Sequence, residues 1–533
     1  MTPKPALFFV SRLTKCLRRR LRPAMAWVLL VWATPWVAAA PAHLTESEAR
    51  HFLLRTGFAP TREEIQAITG QSAQHVVEQA TKAARHSTPT TPVPSFTQSP
   101  ASAGPGATGT PEERQAYRYQ QGREGIDIKA WWIAEMMVTT APLQERMTLF
   151  WHNHFATSQL KVTRSMPMWA QHQLLRRHAL GNFGQLVHHI AKDPAMLIYL
   201  DGANSRREAP NENFAREVME LFVLGEASQG GGYTEQDIKE AARAFTGWSV
   251  DPQTLRFRLR PGFHDTGMKT VLGQTGTFDG DAVLDILLAQ NASGEFIVRK
   301  LWQEFVSTNA PSADNPEIRR LAHGFRQSGY DIAGLMKNLL LSDAFWHTDN
   351  RAVLVKSPVE LLVGMARQLQ LPTTDAFALA ARSALLGQNL LAPPNVKGWP
   401  GNLEWINTTS WLARQQFAEA LFAPAAELPD PPMAPRPLNA MQRQNLGFNP
   451  AELQALGRDG IVRLVRASAQ VRLDVEPWLA RQGMRSDVEP SALEKRQLVQ
   501  ALLAAPPVHD VAEGTVARNW LRALITDPAY QLK

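Results

Sequence analysis

Cysteine is almost absent. The single cysteine of the 533-residue chain is Cys16, inside a segment that reads as a removable leader. Without it the chain has no disulfide, no thiol nucleophile and no cysteine-ligated metal. An exported chain of this length does without disulfides because its core is large enough. An excess of one charge is missing too. The formal net charge is +7, but Lys4, Arg12, Lys15, Arg18, Arg19, Arg20 and Arg22 supply seven cations before residue 43, with no acid among them. The remainder is formally neutral, so the overall attraction for phosphate that drives nucleic-acid binding is absent. There is no phosphate loop, dinucleotide fingerprint, G-x-S-x-G elbow or H-E-x-x-H pair. A serine triad is not supported, and no internal repeat is visible.

The leader has three parts. The basic stretch ends at Arg22-Pro23, an apolar stretch runs from Met25 to Ala40 across Pro35, and Ala40-Pro41-Ala42 closes it. That order predicts a secretory signal over residues 1–42, cut before His43. An uncleaved anchor is the competing reading, but a span takes about 20 apolar residues and this run is shorter and holds a proline. The long basic part leaves a start at Met25 open, and Arg18-Arg19-Arg20 is only a weak twin-arginine signal. The expected location is periplasmic or secreted, with no stable membrane span after processing.

Composition divides the rest. Residues 43–86 read as an N-terminal helical segment. Residues 87–111 are mostly Ser, Thr, Pro, Gly and Ala, a mixture that buries too little apolar surface to order itself and predicts a disordered linker. Residues 112–422 read as the main helical domain, 423–437 as a proline-rich linker, and 438–533 as a C-terminal helical segment. Thr45 with Glu48, Thr61 with Glu64, and Ser357 with Glu360 have capping-box spacing, and Thr234 with Asp237 is a looser version. Pro142, Pro194 and Pro210 suit helix first turns, and Gly57, Gly181 and Gly225 suit helix ends. Leu255, Phe257 and Leu259 alternate with polar residues, and 268–272 offers a return strand. The expected fold is all-α with one small β-hairpin, with His264 and Asp265 in the hairpin loop.

Polar chemistry is concentrated between residues 147 and 273. His152, His154, His172, His178, His188, His189 and His264 fall there, out of 14 histidines in the chain. Taken as a helix, 211–224 places Phe214, Val218, Leu221 and Phe222 on an apolar arc, with Asn213, Glu217 and Glu220 as a polar stripe beside it. Glu217 borders the arc, and a half-buried carboxylate needs a cation, a metal or a proton. Glu212, Arg216 and Glu220 also have ion-ladder spacing.

His152 and His154 would point about 200° apart on a continuous helix and share an ion only at a frayed end. With Asp201 they form the candidate set for a divalent metal. A core histidine beside an exposed one is an equal alternative. Glu217, Glu220, His264, Asp265 and Lys269 are the candidate catalytic groups. Asp265 reads equally well as a loop cap, and Asp193 as a helix cap. Asn211, Asn213 and Arg216 are candidate binding residues. So are Trp399 and Trp405, in the Gly/Pro loop 393–401 and just beyond it, although a buried plug suits those two rings better. The apolar neighbours of these motifs predict that His152 or His154, Asp201, Glu217, Glu220 and His264 converge in one pocket.

Several strings occur together in order. They are Arg50 to Phe58, Glu145-Arg146-Met147 through Phe155, Asp193-Pro194-Ala195-Met196 to Asp201, Asn211 to Gly225 and Ala241 to Trp248. His264-Asp265 with Lys269 and Gly273, Lys356-Ser357-Pro358, and Pro394 to Gly401 with Trp405-Ile406-Asn407 complete the set. Over residues 44–422 the chain resembles the bacterial domain-of-unknown-function 1800 family. The resemblance implies an exported, mainly helical protein without a settled activity. It also implies a partner from the domain-of-unknown-function 1501 family, whose members resemble the alkaline-phosphatase superfamily. Two functional classes follow: a hydrolase-like enzyme whose cluster holds a divalent metal or positions water, and a non-catalytic binding or assembly protein with a buried polar network.

Overall fold

Helix starts lie where the sequence places them. Thr45, Thr61, Thr234 and Ser357 each cap a helix, and Glu48, Glu64, Asp237 and Glu360 return the bond to the cap backbone. Each box satisfies two amide donors that the first helical turn leaves open. Pro142 and Pro194 sit in first turns. Pro210 does not. It precedes Asn211, the cap of Glu212–Glu217. The computed structural model describes residues 40–99, 104–106, 108–423 and 446–533. Cys16, most of the predicted leader, and residues 424–437 of the expected second linker lie outside these.

The protein is mainly helical. Its spine is the long helix Pro111–Val138, which packs against Ala376–Leu385 and Pro450–Gln470. The helix Pro142–His154 crosses Ser165–Arg177. Trp131 and Trp132 are buried in this core. A fully buried ring of this size contributes roughly 2–3 kcal/mol.

The C-terminal segment is not set apart. Leu453, Leu464, Trp478 and Tyr530 join the same core cluster, and the Lys533 N–H donates to the Leu354 carbonyl at 2.8 Å. No described helix is long and apolar enough to cross a membrane.

Two expectations change. The predicted linker is fastened over part of its length. The Thr90 and Thr91 amides donate to the buried Glu135 carboxylate at 2.7–3.0 Å, the Trp131 indole donates to the Thr91 carbonyl at 3.2 Å, and Phe96 packs on the core. Composition measures side chains, whereas here the backbone amides make the bonds.

The single hairpin is replaced by two. β1 (Trp248–Val250) pairs with β2 (Phe257–Leu259), and β3 (Lys269–Val271) pairs with β4 (Gln274–Gly276). The Asp251 carboxylate accepts the Gln253 and Thr254 amides and turns β2 back onto β1. Leu272 and Gly273 both have positive φ, at 49° and 77°, the signature of a two-residue type I′ turn. His264 and Asp265 lie between the hairpins.

Candidate functional site

The proposed metal ligands are not brought together. His152 is buried, and its Nε2 accepts the Leu391 amide at 3.1 Å. His154 points elsewhere: Nε2 donates to the Phe222 carbonyl at 3.0 Å, and Nδ1 accepts from Lys300 Nζ at 3.0 Å. These partners place the ring proton on Nε2. Asp201 is exposed, in a left-handed conformation with φ 58°, and pairs with Lys161 at 2.7 Å. Among the described residues no three His, Cys, Asp or Glu side chains gather to hold a metal ion. The helix Pro142–His154 runs unbroken through both histidines, so they diverge and each meets its own backbone partner.

The proposed catalytic groups divide in the same way. His264 Nδ1 contacts the Thr246 carbonyl at 2.9 Å. Asp265 accepts from Arg243 Nε and from the Gly267 amide, both at 2.8 Å, and the Arg243 hydrogen bond holds its carboxyl below the ordinary range. Lys269 is buried and donates to the Asp265 and Gly267 carbonyls at 2.6 and 2.9 Å. These bonds fasten the loop between the hairpins.

Asn211 caps its helix and donates to the Leu200 carbonyl at 2.9 Å. Asn213 is exposed. Arg216 forks onto Glu235, with both bonds at 2.7 Å. Glu217 is half-buried; desolvation first and Glu220 second raise its carboxyl above the ordinary range. Beyond Glu217 the helix widens into a π-turn over Val218–Val223, where the Leu224 amide reaches the Met219 carbonyl at 2.8 Å. Such turns are frequent at functional sites. Here the turn ends at the Phe222 carbonyl that receives His154.

A set that keeps only His154, Trp399 and Trp405 from the sequence candidates encloses a cavity of about 570 Å³. Its walls come from Pro142–His154 (Arg146, Asn153, His154), from Asn291–Phe305 (Lys300, Glu304), from Glu360, and from the loop carrying Trp399 and Trp405. Arg146 Nη2 reaches Glu304 at 2.6 Å, and Nη1 pairs with Glu360. Lys533 pairs with Glu360 as well and stands 3.7 Å from Glu304. Burial alone would raise the Glu360 carboxyl, but Arg146 and Lys533 outweigh it and hold the group down to about 2.

Asn153 clamps the loop. Its Oδ1 accepts the Trp399 amide at 2.7 Å and its Nδ2 donates to the Trp399 carbonyl at 3.3 Å. Trp399 and Trp405 are 5 and 8 % exposed and pack with Val355, so they plug the loop while lining the cavity. A separate hollow of about 710 Å³, between Pro105 and Arg123, has none of these ion pairs.

Sequence reading missed Lys300, Glu304 and Lys533 altogether. No pattern in the sequence gives Arg146 a partner, and Glu360 is marked there only as a helix cap.

Buried imidazoles set the response to acid. His51, His152, His154 and His172 are at most 5 % exposed. Burial holds His51 and His152 down to about 3, and His154 and His172 well below the ordinary value. The unfolded chain binds these protons near pH 6.5 and the fold refuses them, so each imidazole removes about 1.4 kcal/mol per pH unit as pH falls from there toward its lowered folded value. Burial pushes Asp193 up to about 7 and Asp375 up to about 6, and raises Glu145. These acids take protons first in the folded state and act in the opposite sense. Asp127 and Glu217 are raised as well, but burial also lowers His178 and His189, so the six imidazoles outnumber the five acids and the melting temperature is expected to fall by roughly 5 °C or more between pH 7 and 4.5. A scan at the two pH values checks this, and a higher melting temperature in acid would refute it.

Fold and site define a mainly helical protein with a charged cleft between helices. The chain belongs to the family described as protein of unknown function (DUF1800), whose model matches residues 51–532. The match extends beyond the resemblance seen over 44–422 and takes in the C-terminal helices that share the core. The curated proteins and the solved structures provide no match to it.

Proposed function

We propose that the protein is an exported binding protein of the periplasm or cell exterior, with the cleft as its ligand site. One observation carries this reading: a cavity of about 570 Å³ walled by Arg146, Glu304, Glu360 and Lys533 in mutual ion pairs, with Trp399 and Trp405 beside them. A concave site with few, firmly held polar groups suits recognition. The histidines and Asp265 that a hydrolase would use are spent on backbone and on Arg243. A hydrolytic reading rests on Glu217, whose raised carboxyl suits a general acid, with Glu220 beside it. The partner from the domain-of-unknown-function 1501 family is part of this proposal through the resemblance only.

The test uses purified chain starting at His43. Nitrophenyl esters and nitrophenyl phosphate are expected to show no turnover above buffer. Turnover that Glu217→Gln abolishes would overturn the binding reading. Intact mass from the native envelope is expected to lack residues 1–42, and a full-length cytoplasmic species would refute export.

A further inference from the structure

The charges behind the cleft wall are unequal. Arg55, Arg146, Lys300, Lys356, Arg414 and Lys533 stand against Glu304 and Glu360, with Glu404 as a third carboxylate on the cavity lining. Arg55 donates to the Phe305 and Val306 carbonyls at 3.1 and 3.0 Å. Arg414 donates to the Lys356 carbonyl and to Gln531 Oε1. Lys356 donates to the Tyr530 carbonyl at 2.7 Å. None of these three reaches a carboxylate within ion-pair distance among the described residues. Arg55, Arg146 and Arg414 each also keep a buried Nε without an acceptor. Donors and positive charge both exceed what the protein supplies to meet them. Uncompensated buried charge is costly, and its field extends into the low-dielectric cleft.

Lys300 is where that excess reaches the cavity. It lines the cleft and has no ion-pair partner among the described residues. Among the described residues its hydrogen bond is to His154 Nδ1 at 3.0 Å, and it lies 5.3 Å from the Phe296 ring centre. His154 cannot turn away, because its Nε2 proton is committed to the Phe222 carbonyl. A neutral imidazole acceptor therefore fixes one of the three ammonium hydrogens and leaves two for a ligand. Burial pushes Lys300 down to about 8, as befits an ammonium without a counter-charge.

We propose that the cleft binds a small ligand through an anionic oxygen group, a carboxylate or a phosphate monoester, with Lys300 as the contact cation and His154 as its positioning residue. This inference rests on the binding reading above. Succinate and inorganic phosphate, titrated separately into the chain starting at His43, distinguish the two sources, and glucose serves as the neutral control. One anion is expected to bind saturably and to raise the melting temperature, with no effect of glucose. Lys300→Met is expected to weaken that binding at least about tenfold. Its own melting temperature should change little, because removing an unpaired cation offsets the donor that His154 Nδ1 loses. Lys300→Arg keeps the charge and should retain part of the affinity.

Equal anion affinity in wild type and Lys300→Met would overturn the proposal, as would failure of both anions to bind. If glucose quenches the tryptophan fluorescence and the anions do not, the ligand class falls while the cleft remains a binding site. Ester turnover abolished by Glu217→Gln removes the binding reading itself.

Discussion

Replacing Glu360 by Gln is expected to lower the unfolding free energy by about 3–5 kcal/mol, the cost of leaving buried charges unpaired. Glu360 Oε2 accepts the Ser357 amide at 2.8 Å, and Oε1 meets both Arg146 and Lys533. Glutamine keeps the shape and can still serve the capping box. What disappears is the negative charge between two cations that are 1 and 6 % exposed. Glu304 cannot replace it, because it is 33 % exposed and partly screened. Glu304→Gln is accordingly expected to cost no more than about 1 kcal/mol. Denaturant midpoints at constant slope measure both. Combining Glu360→Gln with Lys533→Met should recover part of the loss, since the two residues are in contact and their effects are coupled. A Glu360→Gln variant as stable as Glu304→Gln would show that the ion pairs do not hold this wall.

The same residue shows how far the sequence could be read. Ser357 and Glu360 are three apart, so the cap is a local property and legible. The second role of Glu360 depends on Arg146 and Lys533, which lie far away in the chain and meet it only once the helices pack. Lys300 follows Arg299 on an ordinary helix, and nothing nearby indicates that folding will keep it from every carboxylate.

The histidine pair was legible in part. The spacing of His152 and His154 sets them on opposite sides of a continuous helix, and their separate partners follow from that. Their expected convergence with Asp201 and His264 assumed that buried polar groups seek one another. Backbone carbonyls and amides satisfied most of them instead, and these leave no mark in the side-chain pattern. The hairpins failed for a local reason. A Leu-Gly turn with two positive φ values is a rarer signal than Asn-Gly, so the sequence does not mark the turn between β3 and β4, and the Asp251 bonds that return β2 to β1 leave no turn motif either.

Gly398→Ala is expected to cost about 3 kcal/mol and to release Trp399. Gly398 has a φ of 85°, a region where an L side chain costs roughly 1–2 kcal/mol. An added Cβ would also overlap Asn153 Oδ1 and stand 2.5 Å from the Asn153 carbonyl oxygen. Asn153 cannot yield, because its amide group holds both the N–H and the C=O of Trp399. The backbone of the loop must move, which adds roughly 1–3 kcal/mol of overpacking strain. Trp399 would leave its packing with Val355 and Trp405 and its place 5.5 Å from the His152 ring centre. The tryptophan emission should shift to the red and the denaturation midpoint should fall. Gly401→Ala is the control within the same loop: nothing lies within 4 Å of a Cβ there and its φ is not positive, so it should change stability by less than about 0.5 kcal/mol. If the two alanine variants behave alike, Asn153 does not clamp the loop, and the cleft wall formed by Trp399 is not fixed in place.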